Sequence, residues 1–472
     1  MTGGGTVAAV DLGATSGRVM LAHVSARELA VTEAARFPNT PVRTIDGLHW
    51  DVLGLYARTL AGLAEAVRAG DVASAGIDSW AVDYALLRGT RMLGVPFHYR
   101  DERTARGVAA VHAVVPPAEL FAVNGLQHLP FNTVFQLVVD RLDGVLDAAD
   151  RFLLVPDLLT YWLTGTAAAE RTNASTTGLL DARTGEWSTG LARRLGIPGR
   201  VLQPLVDPGA DAGPLLPHVA AQLGEGAARL RVTTVGSHDT ASAVVAVPAT
   251  DADVAYISCG TWGLVGVELE HPELSDAGRA AGFTNERGVD GRVRYLHNVM
   301  GLWLLSESVR TWEADGGEVD LPGLVRAAGQ VADPVPIIDV DDPGFLPPGD
   351  MPARITGWCR AHGVEPPATR AAVVRTILAS LADAFARTVH RAAELTGRRV
   401  RTIHLVGGGA RNAVLCRLTA ASSGLPVLAG PVEATAMGNA LVQARALGFV
   451  SGDLEALRAL VVATHPPQEF RP

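Results

Sequence analysis

The stretch VAAVDLGATSGRVMLAHV, residues 7–24, sets the architecture of the first part of the chain. Apolar and small residues run into Asp11, a turn of small residues follows, and a second apolar run begins after Arg18. Short apolar runs separated by glycine and small polar residues predict a strand, a tight turn and a second strand. Gly13 and Gly17 permit positive φ and remove side-chain bulk, so we expect something to approach this turn closely.

The turn at residues 13–17 suits an anion, because it offers backbone N–H groups and two hydroxyls with little side-chain bulk. Asp11 at the end of a buried strand is costly without a partner, and hydrated Mg²⁺ is one suitable partner. Taken alone, an ordinary hairpin with a capping aspartate explains the same residues equally well, since small-residue turns are common.

The same order of strand, small-residue turn and strand recurs half a chain later, at residues 254–258, 259–261 and 262–267. The repeat predicts two α/β domains, residues 1–246 and 247–472, each opening with such a hairpin. A cleft between duplicated domains is a natural place for a ligand, and two small-residue turns facing each other could hold a triphosphate.

Further elements follow from apolar periodicity and from glycine positions. We expect short strands at residues 73–77, 84–87, 232–235 and 402–406. Helices are expected at residues 153–163, ending near Gly165, and from Val374 to a C-terminal cap at Gly397. Residues 331–355, rich in Pro, Asp and Gly, are expected to form a surface excursion.

The charged composition excludes several kinds of enzyme. All 40 basic residues are arginine, and the chain has no lysine. Walker-type phosphate loops, protein kinases and Schiff-base enzymes each require a lysine, so these classes are excluded. Binding of ATP would have to rely on backbone amides, hydroxyls, a metal ion and carboxylates.

Composition also limits which partners and which cellular compartment are expected. The net charge is −9 without a basic block, so neither nucleic acid nor an anionic membrane is an expected partner. No run of about 18 apolar residues is present to span a membrane. The three cysteines are far apart and lack zinc or redox spacing, which predicts a cytoplasmic protein.

Two later motifs resemble ligand-binding junctions. Residues 407–409 are three glycines between a predicted strand and helix, which suits close approach to an adenine or ribose, although they do not complete the G-x-G-x-x-G pattern. Residues 236–240, GSHDT, place Asp239 where a loop enters a helix. In isolation an N-cap explains Asp239 better than a catalytic role does.

Taken in order, these motifs resemble the FGGY family of carbohydrate kinases, and the resemblance covers nearly the whole chain. SHDTASAV and NVMGLWLL resemble the members of the family that act on L-rhamnulose, whereas the glycine turns alone indicate only the superfamily. The stretches that carry the resemblance are AVDLGATSGRVMLA, GIDSWAVDYALL, PFHYRDERT, LPFNTVFQL, TNASTTGLLD, SHDTASAVVA, SCGTWGLVG, NVMGLWLL, VGGGARN and GPVEATAMGNA.

The resemblance implies an α/β fold of two actin-like ATPase (ribonuclease H-like) domains with the active site in the cleft between them. The first domain would bind the sugar and provide the first phosphate turn, and the second would bind the nucleotide. The implied reaction transfers the γ-phosphate of ATP, with Mg²⁺, to the 1-hydroxyl of L-rhamnulose, giving L-rhamnulose 1-phosphate and ADP in L-rhamnose catabolism. The expected partners are a ketose and ATP, and the chain is expected to be a monomer or homodimer.

The resemblance also assigns residues. Asp239 matches the catalytic base, and an aspartate at neutral pH is ordinarily a carboxylate able to accept the hydroxyl proton. Asp11 is expected to reach Mg²⁺ through water. The residues that match sugar contacts are Ala81, His238, Thr240 and Asn298. The residues that match contacts with ATP are Asp11, Ala14, Thr15, Ser16, Gly17, Arg18, Thr261, Ser306 and Gly408.

Two of these positions depart from the family pattern. Ala81 stands where close relatives carry a sugar-contacting glycine, and its methyl group would crowd the sugar, so L-fuculose and xylulose stay open as substrates. Ser306 stands where a nucleotide-contacting glutamine is expected. Further sugar-pocket candidates, each equally suited to a core or surface role, are Asp78, Trp80, Asp83, Tyr99, Asp101, Arg103, Gln127 and Asn132.

Two other classes of function share some of these features. An actin-like or chaperone-like ATPase needs the phosphate turns but not the SHDTASAV loop, and its ATP consumption would not depend on a ketose. A sugar sensor without catalysis would normally lack the base, whereas Asp239 is present.

Overall fold

Strands and helices alternate along residues 3–472, which the computed structural model describes. The strands are β1 (Gly5–Leu12), β2 (Ser16–Val24), β3 (Leu29–Pro38), β4 (Val42–Arg43), β5 (Leu48–His49), β6 (Val72–Ser79), β7 (Tyr84–Arg88), β8 (Arg91–Met92), β9 (Arg151–Leu154), β10 (Ala169–Glu170), β11 (Leu205–Val206), β12 (Asp211–Pro214), β13 (Arg231–Thr233), β14 (Val254–Cys259), β15 (Gly263–Leu269), β16 (Thr284–Arg287), β17 (Val293–Val299), β18 (Thr402–Val406), β19 (Val427–Ala429) and β20 (Gln468–Phe470).

The helices are α1 (Val52–Ala69), α2 (Thr104–His112), α3 (Pro117–Asn124), α4 (Thr133–Leu142), α5 (Val145–Ala148), α6 (Val155–Thr164), α7 (Arg171–Ala174), α8 (Thr189–Arg194), α9 (Pro217–Leu223), α10 (Asp239–Val245), α11 (Asp276–Ala280), α12 (Trp303–Ala314), α13 (Leu321–Ala328), α14 (Met351–Ala361), α15 (Arg370–Thr396), α16 (Ala413–Ser423), α17 (Ala434–Ala446) and α18 (Leu454–Thr464). Short 3₁₀ turns lie between several of them, including Gly408–Arg411.

The chain forms two compact units. The first unit takes the residues up to Ala246 together with Glu268–Tyr295 and Ala434–Thr464. The second unit takes Val247–Val267, Leu296–Glu433 and His465–Pro472. Both units therefore contain segments from beyond residue 246, and the assignment of sugar and nucleotide roles to residues 1–246 and 247–472 stays a prediction.

The first unit is built on a six-stranded sheet in the order β12-β13-β6-β1-β2-β3. β1 pairs with β2 in antiparallel fashion, and its last residues, Asp11 and Leu12, lie opposite Arg18 and Gly17. β1 also pairs in parallel with β6, which sets Asp11 opposite Asp78. The predicted hairpin is confirmed, and its turn lies where β6 also ends.

The second unit repeats this arrangement. β14 and β15 form an antiparallel hairpin in which Cys259 lies opposite Gly263. β14 pairs in parallel with β18, as β1 does with β6. The strand order in this unit is β17-β15-β14-β18-β19-β20. The predicted second strand, turn and strand are therefore confirmed, and each hairpin has a parallel neighbour that ends beside its turn.

Most of the other predicted elements are confirmed. The strands predicted at residues 73–77, 84–87, 232–235 and 402–406 correspond to β6, β7, β13 and β18. The long helix is α15, and Gly397 ends it in the left-handed conformation with φ 65°. Its apolar face is buried because residues such as Ile377 and Phe385 recur at helical spacing.

Two predictions are wrong in part. Residues 153 and 154 are not helical, because Leu153 and Leu154 end β9 and pair with β7 before α6 begins. Residues 331–355 are not only a surface excursion, because Ile338 and Phe345 are buried. The backbone N–H of Ile338 donates to Ser380 Oγ at 2.9 Å, which ties this segment to α15.

Within residues 3–472 no single helix is long and apolar enough to span a membrane. The pair α2 and α3, bent by 95°, meets the criteria of length and composition when the two helices are taken together. Val111 of α2 and Leu120 of α3 lie in an apolar core cluster of the first unit.

Candidate active site

The turn between β1 and β2 is held by backbone hydrogen bonds. Gly13 N donates to Ser16 O at 2.8 Å, and Asn39 N donates to Thr15 O at 3.0 Å. The Asn39 side chain donates from Nδ2 to Gly13 O at 2.9 Å. Asn39 comes from the end of the next strand, and the sequence carried no signal for its role because it is 26 residues away from Gly13.

Gly13 and Gly17 permit positive φ but do not adopt it, since neither is among the glycines of residues 3–472 with positive φ. A Cβ atom at Gly17 would lie 2.2 Å from Phe37 Cε2 and 2.9 Å from Leu12 Cδ2. Gly17 is therefore required by packing on its neighbours. Gly13, Ala14 and Thr15 form the turn between the two strands, and Ser16 begins β2.

Asp11 already has a cationic partner in the fold. The Arg18 guanidinium donates a hydrogen bond to Asp11 Oδ2, and the Asp11 side chain is only 6% exposed. Because the two residues are register partners, the hairpin itself brings them together. The buried carboxylate that suggested a metal ion is thus neutralised by a residue of the same motif.

A second carboxyl group, Asp78, lies beside Asp11 at the end of β6. Asp78 is fully buried and accepts a hydrogen bond from Asn439 Nδ2 at 2.6 Å. Burial, and then the nearby carboxyl groups of Asp11 and Asp239, raise the pKa of Asp78 well above its ordinary value. The turn, the end of β6 and the start of α10 therefore converge within the first unit.

The loop before α10 places Asp239 as the first residue of that helix. His238 occupies the N-cap position and makes no side-chain capping hydrogen bond. Asp239 Oδ1 accepts a hydrogen bond from Thr240 Oγ1 at 3.1 Å. The N-cap interpretation of Asp239 is wrong, because its carboxylate turns toward the neighbouring side chains instead of capping the helix.

A buried carboxylate holds this loop in place. Glu170 Oε2 accepts hydrogen bonds from Ser237 N at 3.0 Å and from Ser237 Oγ at 2.8 Å. Ser237 O in turn accepts from Ser79 N at 2.9 Å, which joins the loop to the end of β6. Burial raises the pKa of Glu170, while hydrogen bonds from Thr172 and Ser237 oppose that rise. Sequence reasoning did not identify Glu170.

His238 contacts charged groups on both sides of its ring. Its Nε2 lies 3.4 Å from Asp239 Oδ1. On the other side, Arg294 Nη2 donates to His238 Nδ1 at 3.1 Å, and Glu286 Oε2 lies 3.1 Å from the same nitrogen. Arg294 and Glu286 are themselves paired at 3.0 Å. Neither residue was a sequence candidate, since nothing in TNERGVDGRVRY indicated a contact with His238.

The turn that carries Ala81 is strained. The next residue, Val82, has φ 68°, a conformation that a β-branched side chain rarely adopts. Thr133 Oγ1 donates to Val82 O at 2.7 Å, and Asp83 N donates to Ala81 O at 2.9 Å. Strain that the surroundings hold in place is often found at ligand sites, which favours a functional role for this turn.

The buried carboxyl group of Asp83 stabilises the same turn through hydrogen bonds. Its Oδ2 accepts hydrogen bonds from Trp50 Nε1 at 2.6 Å and from Trp80 Nε1 at 3.1 Å. Gln136 Nε2 donates to its Oδ1 at 3.0 Å. Burial raises the pKa of Asp83 to about 6, and these hydrogen bonds limit the rise. Trp80 and Asp83 are thus core residues that support the turn.

Asp101 and Arg103 are linked through the backbone, since Arg103 N donates to Asp101 Oδ1 at 2.9 Å, but their side chains do not form a surface ion pair. The Arg103 guanidinium pairs with Asp140 at 2.5 Å, and both side chains are largely buried. Asp101 Oδ2 instead accepts a hydrogen bond from Leu48 N at 2.8 Å.

In the second unit, Thr261 lies in the turn of the second hairpin. Thr261 O accepts from Trp303 N at 3.2 Å, and Gly260 O accepts from Leu302 N at 2.9 Å, so the turn abuts the start of α12. Ser306 follows in the first turn of α12 and is exposed. Asn298 lies near the end of β17 and is half-buried.

The three glycines after β18 have different roles. Gly407 has φ 82°, which favours glycine. A Cβ atom at Gly409 would lie 2.5 Å from Cys259 Sγ, so this position packs on β14. A Cβ atom at Gly408 would meet only Cys259 O, at 4.0 Å. Gly408 is therefore the glycine whose surface is open to a ligand.

The structure thus brings the predicted residues together in two groups, one in each unit. Asp11, residues 14–18, Ala81 and residues 238–240 lie at the ends of β1 and β6 and the start of α10. Thr261 and Gly408 follow β14 and β18, which are neighbours in the second sheet, and Ser306 lies close by on α12.

Sequence comparisons identify relatives along nearly the whole chain. A protein named rhamnulokinase from Bacteroides thetaiotaomicron is 38% identical over 98% of this chain and 95% of its own length. A rhamnulokinase from Pectobacterium carotovorum subsp. carotovorum is 40% identical over 99% of this chain and 93% of its own length.

Solved structures share the fold. Gluconate kinase from Lactobacillus acidophilus matches with a TM-score of 0.80 at 15% identity, over 100% of this chain and 94% of its own. Plasmodium falciparum glycerol kinase with ADP matches with a TM-score of 0.79 at 14% identity, over 99% and 94%. The expected α/β, actin-like ATPase fold is confirmed.

Family models agree with these relatives. The N-terminal domain of the FGGY family of carbohydrate kinases matches residues 6–246, and the C-terminal domain matches residues 255–447. Together these matches cover most of the chain, including both hairpins and the glycines after β18. The chain therefore belongs to the FGGY family of carbohydrate kinases, enzymes that use ATP to phosphorylate a sugar.

Proposed function

We propose that this kinase phosphorylates L-rhamnulose at the 1-hydroxyl, giving L-rhamnulose 1-phosphate and ADP, as a step of L-rhamnose catabolism. Relatives named rhamnulokinase, 37–40% identical over nearly the whole chain, support this substrate. The observation that carries the chemistry is the placement of Asp239, which begins α10 with its carboxylate contacted at Oδ1 by Thr240 and His238.

Asp239 acts as the general base of the proposed reaction. The sugar hydroxyl oxygen attacks the γ-phosphorus of ATP while its proton passes to the Asp239 carboxylate. The bond between the γ-phosphorus and the bridging oxygen breaks, and ADP leaves with that electron pair. The Asp239 side chain is 31% exposed, so a substrate hydroxyl can reach it.

The phosphates of ATP are assigned to the two small-residue turns. In the first unit, residues 14–17 supply amides and hydroxyls, and Arg18 supplies positive charge that is shared with Asp11. In the second unit, Thr261 takes the corresponding position, the open face of Gly408 contacts the nucleotide, and Ser306 lies beside it. Ala81, His238, Thr240 and Asn298 are assigned to the sugar.

The fit of Mg²⁺ depends on the carboxyl groups at the ends of β1 and β6. Asp11 is engaged by Arg18, and the raised pKa of Asp78 favours its protonated form. Within residues 3–472 no group of three or more His, Cys, Asp or Glu side chains is arranged to hold a metal ion. These residues fit an ion held mainly by ATP and water, with Asp11 contacting it through water. Such an ion would neutralise charge on the β- and γ-phosphates.

The experiment that tests the substrate is a coupled assay of ADP release with ATP, Mg²⁺ and a panel of ketoses. We expect the highest kcat/KM with L-rhamnulose. L-Fuculose and xylulose are the informative competitors, because the Ala81 methyl group lies in the strained turn assigned to the sugar. A tenfold preference for either competitor would overturn the proposal, and so would ATP consumption that does not depend on sugar.

We propose further that the enzyme works in the cytoplasm as a monomer or homodimer, without nucleic acid or membrane partners. The net charge of −9 and the lack of a basic block support this proposal. Gel filtration with light scattering would test the oligomeric state.

A further inference from the structure

His238 stands between Asp239 and a buried ion pair of the same unit. Its Nε2 faces Asp239 Oδ1 at 3.4 Å, and its Nδ1 accepts a hydrogen bond from Arg294 Nη2 at 3.1 Å. Glu286 Oε2 lies 3.0 Å from the same Arg294 nitrogen. One nitrogen of Arg294 therefore contacts both the Glu286 carboxylate and the His238 imidazole.

These contacts define which ring nitrogen of His238 carries the proton. Two groups lie 3.1 Å from Nδ1, Arg294 Nη2 and Glu286 Oε2, but among the described residues Glu286 Oε2 accepts no hydrogen bond. An arginine side chain can only donate hydrogen bonds, so the Nδ1 that it contacts acts as an acceptor. In a neutral imidazole the proton then lies on Nε2, the nitrogen that faces Asp239. His238 can consequently donate to the Asp239 carboxylate, as Thr240 does.

The ion pair is held firmly in position. Arg294 is fully buried, and its Nε donates to Arg287 O at 3.1 Å. Arg287 N donates to Ser175 Oγ at 2.8 Å. Burial acts to raise the pKa of Glu286, but Arg294 and His238 together outweigh it and hold that pKa below its ordinary value. Glu286 is therefore a carboxylate that fixes the direction of the Arg294 guanidinium.

We propose that Glu286 and Arg294 are positioning residues of the kinase, which hold His238 in the Nε2–H form and through it orient the carboxylate of Asp239. With His238 and Thr240 both directed at Oδ1, the Oδ2 atom is left for the sugar hydroxyl. This inference rests on the proposed function, in which Asp239 is the base. The orientation of the Asp239 carboxylate matters because displacing a reacting group by about 1 Å can cost about 100-fold in rate.

The kinetic test compares substitutions of two carboxylates that each pair with a buried arginine. Glu286→Gln removes the charge that fixes Arg294. Glu268→Gln is the matched control, because half-buried Glu268 accepts from buried Arg458 Nη2 at 2.5 Å, and Arg458 also donates to Val244 O of α10 at 2.9 Å. We expect Glu286→Gln to lower kcat about 10-fold to 100-fold relative to the control, with the KM for ATP unchanged. Equal kcat values in the two variants would overturn the proposal.

A spectroscopic test on the unsubstituted enzyme remains decisive if Glu286→Gln does not fold. With ¹⁵N-labelled histidine, the ring signals of His238 are assigned by their loss in His238→Gln. We expect a protonated Nε2 and an unprotonated Nδ1. A ring with its proton on Nδ1 would overturn the proposal.

The Asp239→Asn variant separates this inference from the proposed function. If Asp239→Asn keeps its turnover, Asp239 is not the base and the proposed function fails, whatever the Glu286 variant does. If Asp239→Asn loses its turnover while Glu286→Gln matches its control, only the positioning role fails. If Asp239 is the base and Glu286 positions it, adding Glu286→Gln to Asp239→Asn should cause little further loss of turnover, because the two substitutions act on the same step.

Discussion

Phe37 lies directly against the backbone of Gly17, its register partner across β2 and β3. A Cβ atom at Gly17 would be 2.2 Å from Phe37 Cε2, closer than non-bonded carbon atoms can approach. The ring of a neighbouring strand therefore takes the space that a side chain would need, at the point where the turn of the first hairpin enters β2.

The first prediction is that Gly17→Ala destabilises the enzyme. Overpacking of this kind typically costs about 1–3 kcal/mol, because Phe37 and Leu12 have to move. Gly13→Ala is the control, since a Cβ atom there meets only Ser16 O at 3.2 Å. Urea denaturation of both variants checks this. Equal stability of the two would mean that the packing of Phe37 does not constrain Gly17.

Gly17 also illustrates what the sequence can and cannot predict. The alternation of apolar runs and small residues predicted both hairpins, because strand pattern and turn composition are local properties. A close approach to Gly17 was expected, but its source could not be predicted, because Phe37 lies 20 positions along the chain and only the sheet register brings its ring close.

The candidate site was predictable to the same extent. Residues within a motif, such as Asp239 in SHDTASAV, can be matched to a family stretch by stretch. Supporting residues could not be found this way, because Glu170 and Arg294 reach the loop before α10 only through tertiary contacts 67 and 56 residues apart in sequence. The prediction that residues 331–355 lie at the surface was wrong in part for a related reason, since Pro, Asp and Gly there surround apolar residues such as Phe345 that are buried.

The second prediction concerns the pH dependence of stability that arises from Asp83. Burial raises the pKa of Asp83 to about 6, so the folded state favours the protonated carboxyl group. The stability that this protonation contributes is complete below the ordinary value of 3.8 and is lost as the pH rises to about 6. Between pH 4.5 and pH 7 the loss should be about 2 kcal/mol in the free energy of unfolding.

Denaturation of the unsubstituted enzyme and of Asp83→Asn across this pH range checks it. The asparagine variant does not titrate at this position. As the pH rises, the free energy of unfolding of the unsubstituted enzyme should therefore fall relative to that of Asp83→Asn. Asp46→Asn serves as the control, because a hydrogen bond from Thr44 lowers the pKa of exposed Asp46 and its linkage has the opposite sign. A pH-independent difference for Asp83→Asn would contradict the assignment.

The third prediction is that ATP binding depends strongly on Mg²⁺. The chain has no lysine, and Arg18 shares its charge with Asp11, so little protein charge is available to the β- and γ-phosphates. Calorimetric titration of ATP with Mg²⁺, and again with a chelator, should give much tighter binding with the metal. Equal affinity in both titrations would show that the protein neutralises the phosphates by itself.

The fourth prediction is that Ser306→Gln tightens ATP binding. Ser306 is exposed on α12, so a longer side chain can extend without displacing core residues. One added hydrogen bond is worth about 0.5–1.5 kcal/mol, which corresponds to a KM for ATP roughly 2-fold to 10-fold lower. Glu313→Gln, an exposed substitution on the same helix, should leave that KM unchanged. A KM that moves equally in both variants would remove Ser306 from the nucleotide site.

The last prediction is the loss of turnover in Asp239→Asn. Asparagine keeps the shape of the side chain but cannot accept the hydroxyl proton, and a general base typically contributes about 10²-fold to 10⁴-fold in rate. Turnover should therefore fall by at least 100-fold, while ATP affinity and the melting temperature stay near normal. The melting temperature is expected to hold because Asp239 is the first residue of α10 and does not cap it.

Asp276→Asn is the matched control, since Asp276 is likewise the first residue of its helix, α11. If both aspartates only favoured the start of a helix, the two variants would behave alike. Retention of more than about a tenth of the turnover in Asp239→Asn would contradict the assignment, because a tenfold loss corresponds to only about 1.4 kcal/mol of activation free energy. A loss confined to Asp239→Asn, with folding intact, is the result that proton transfer to this carboxylate requires.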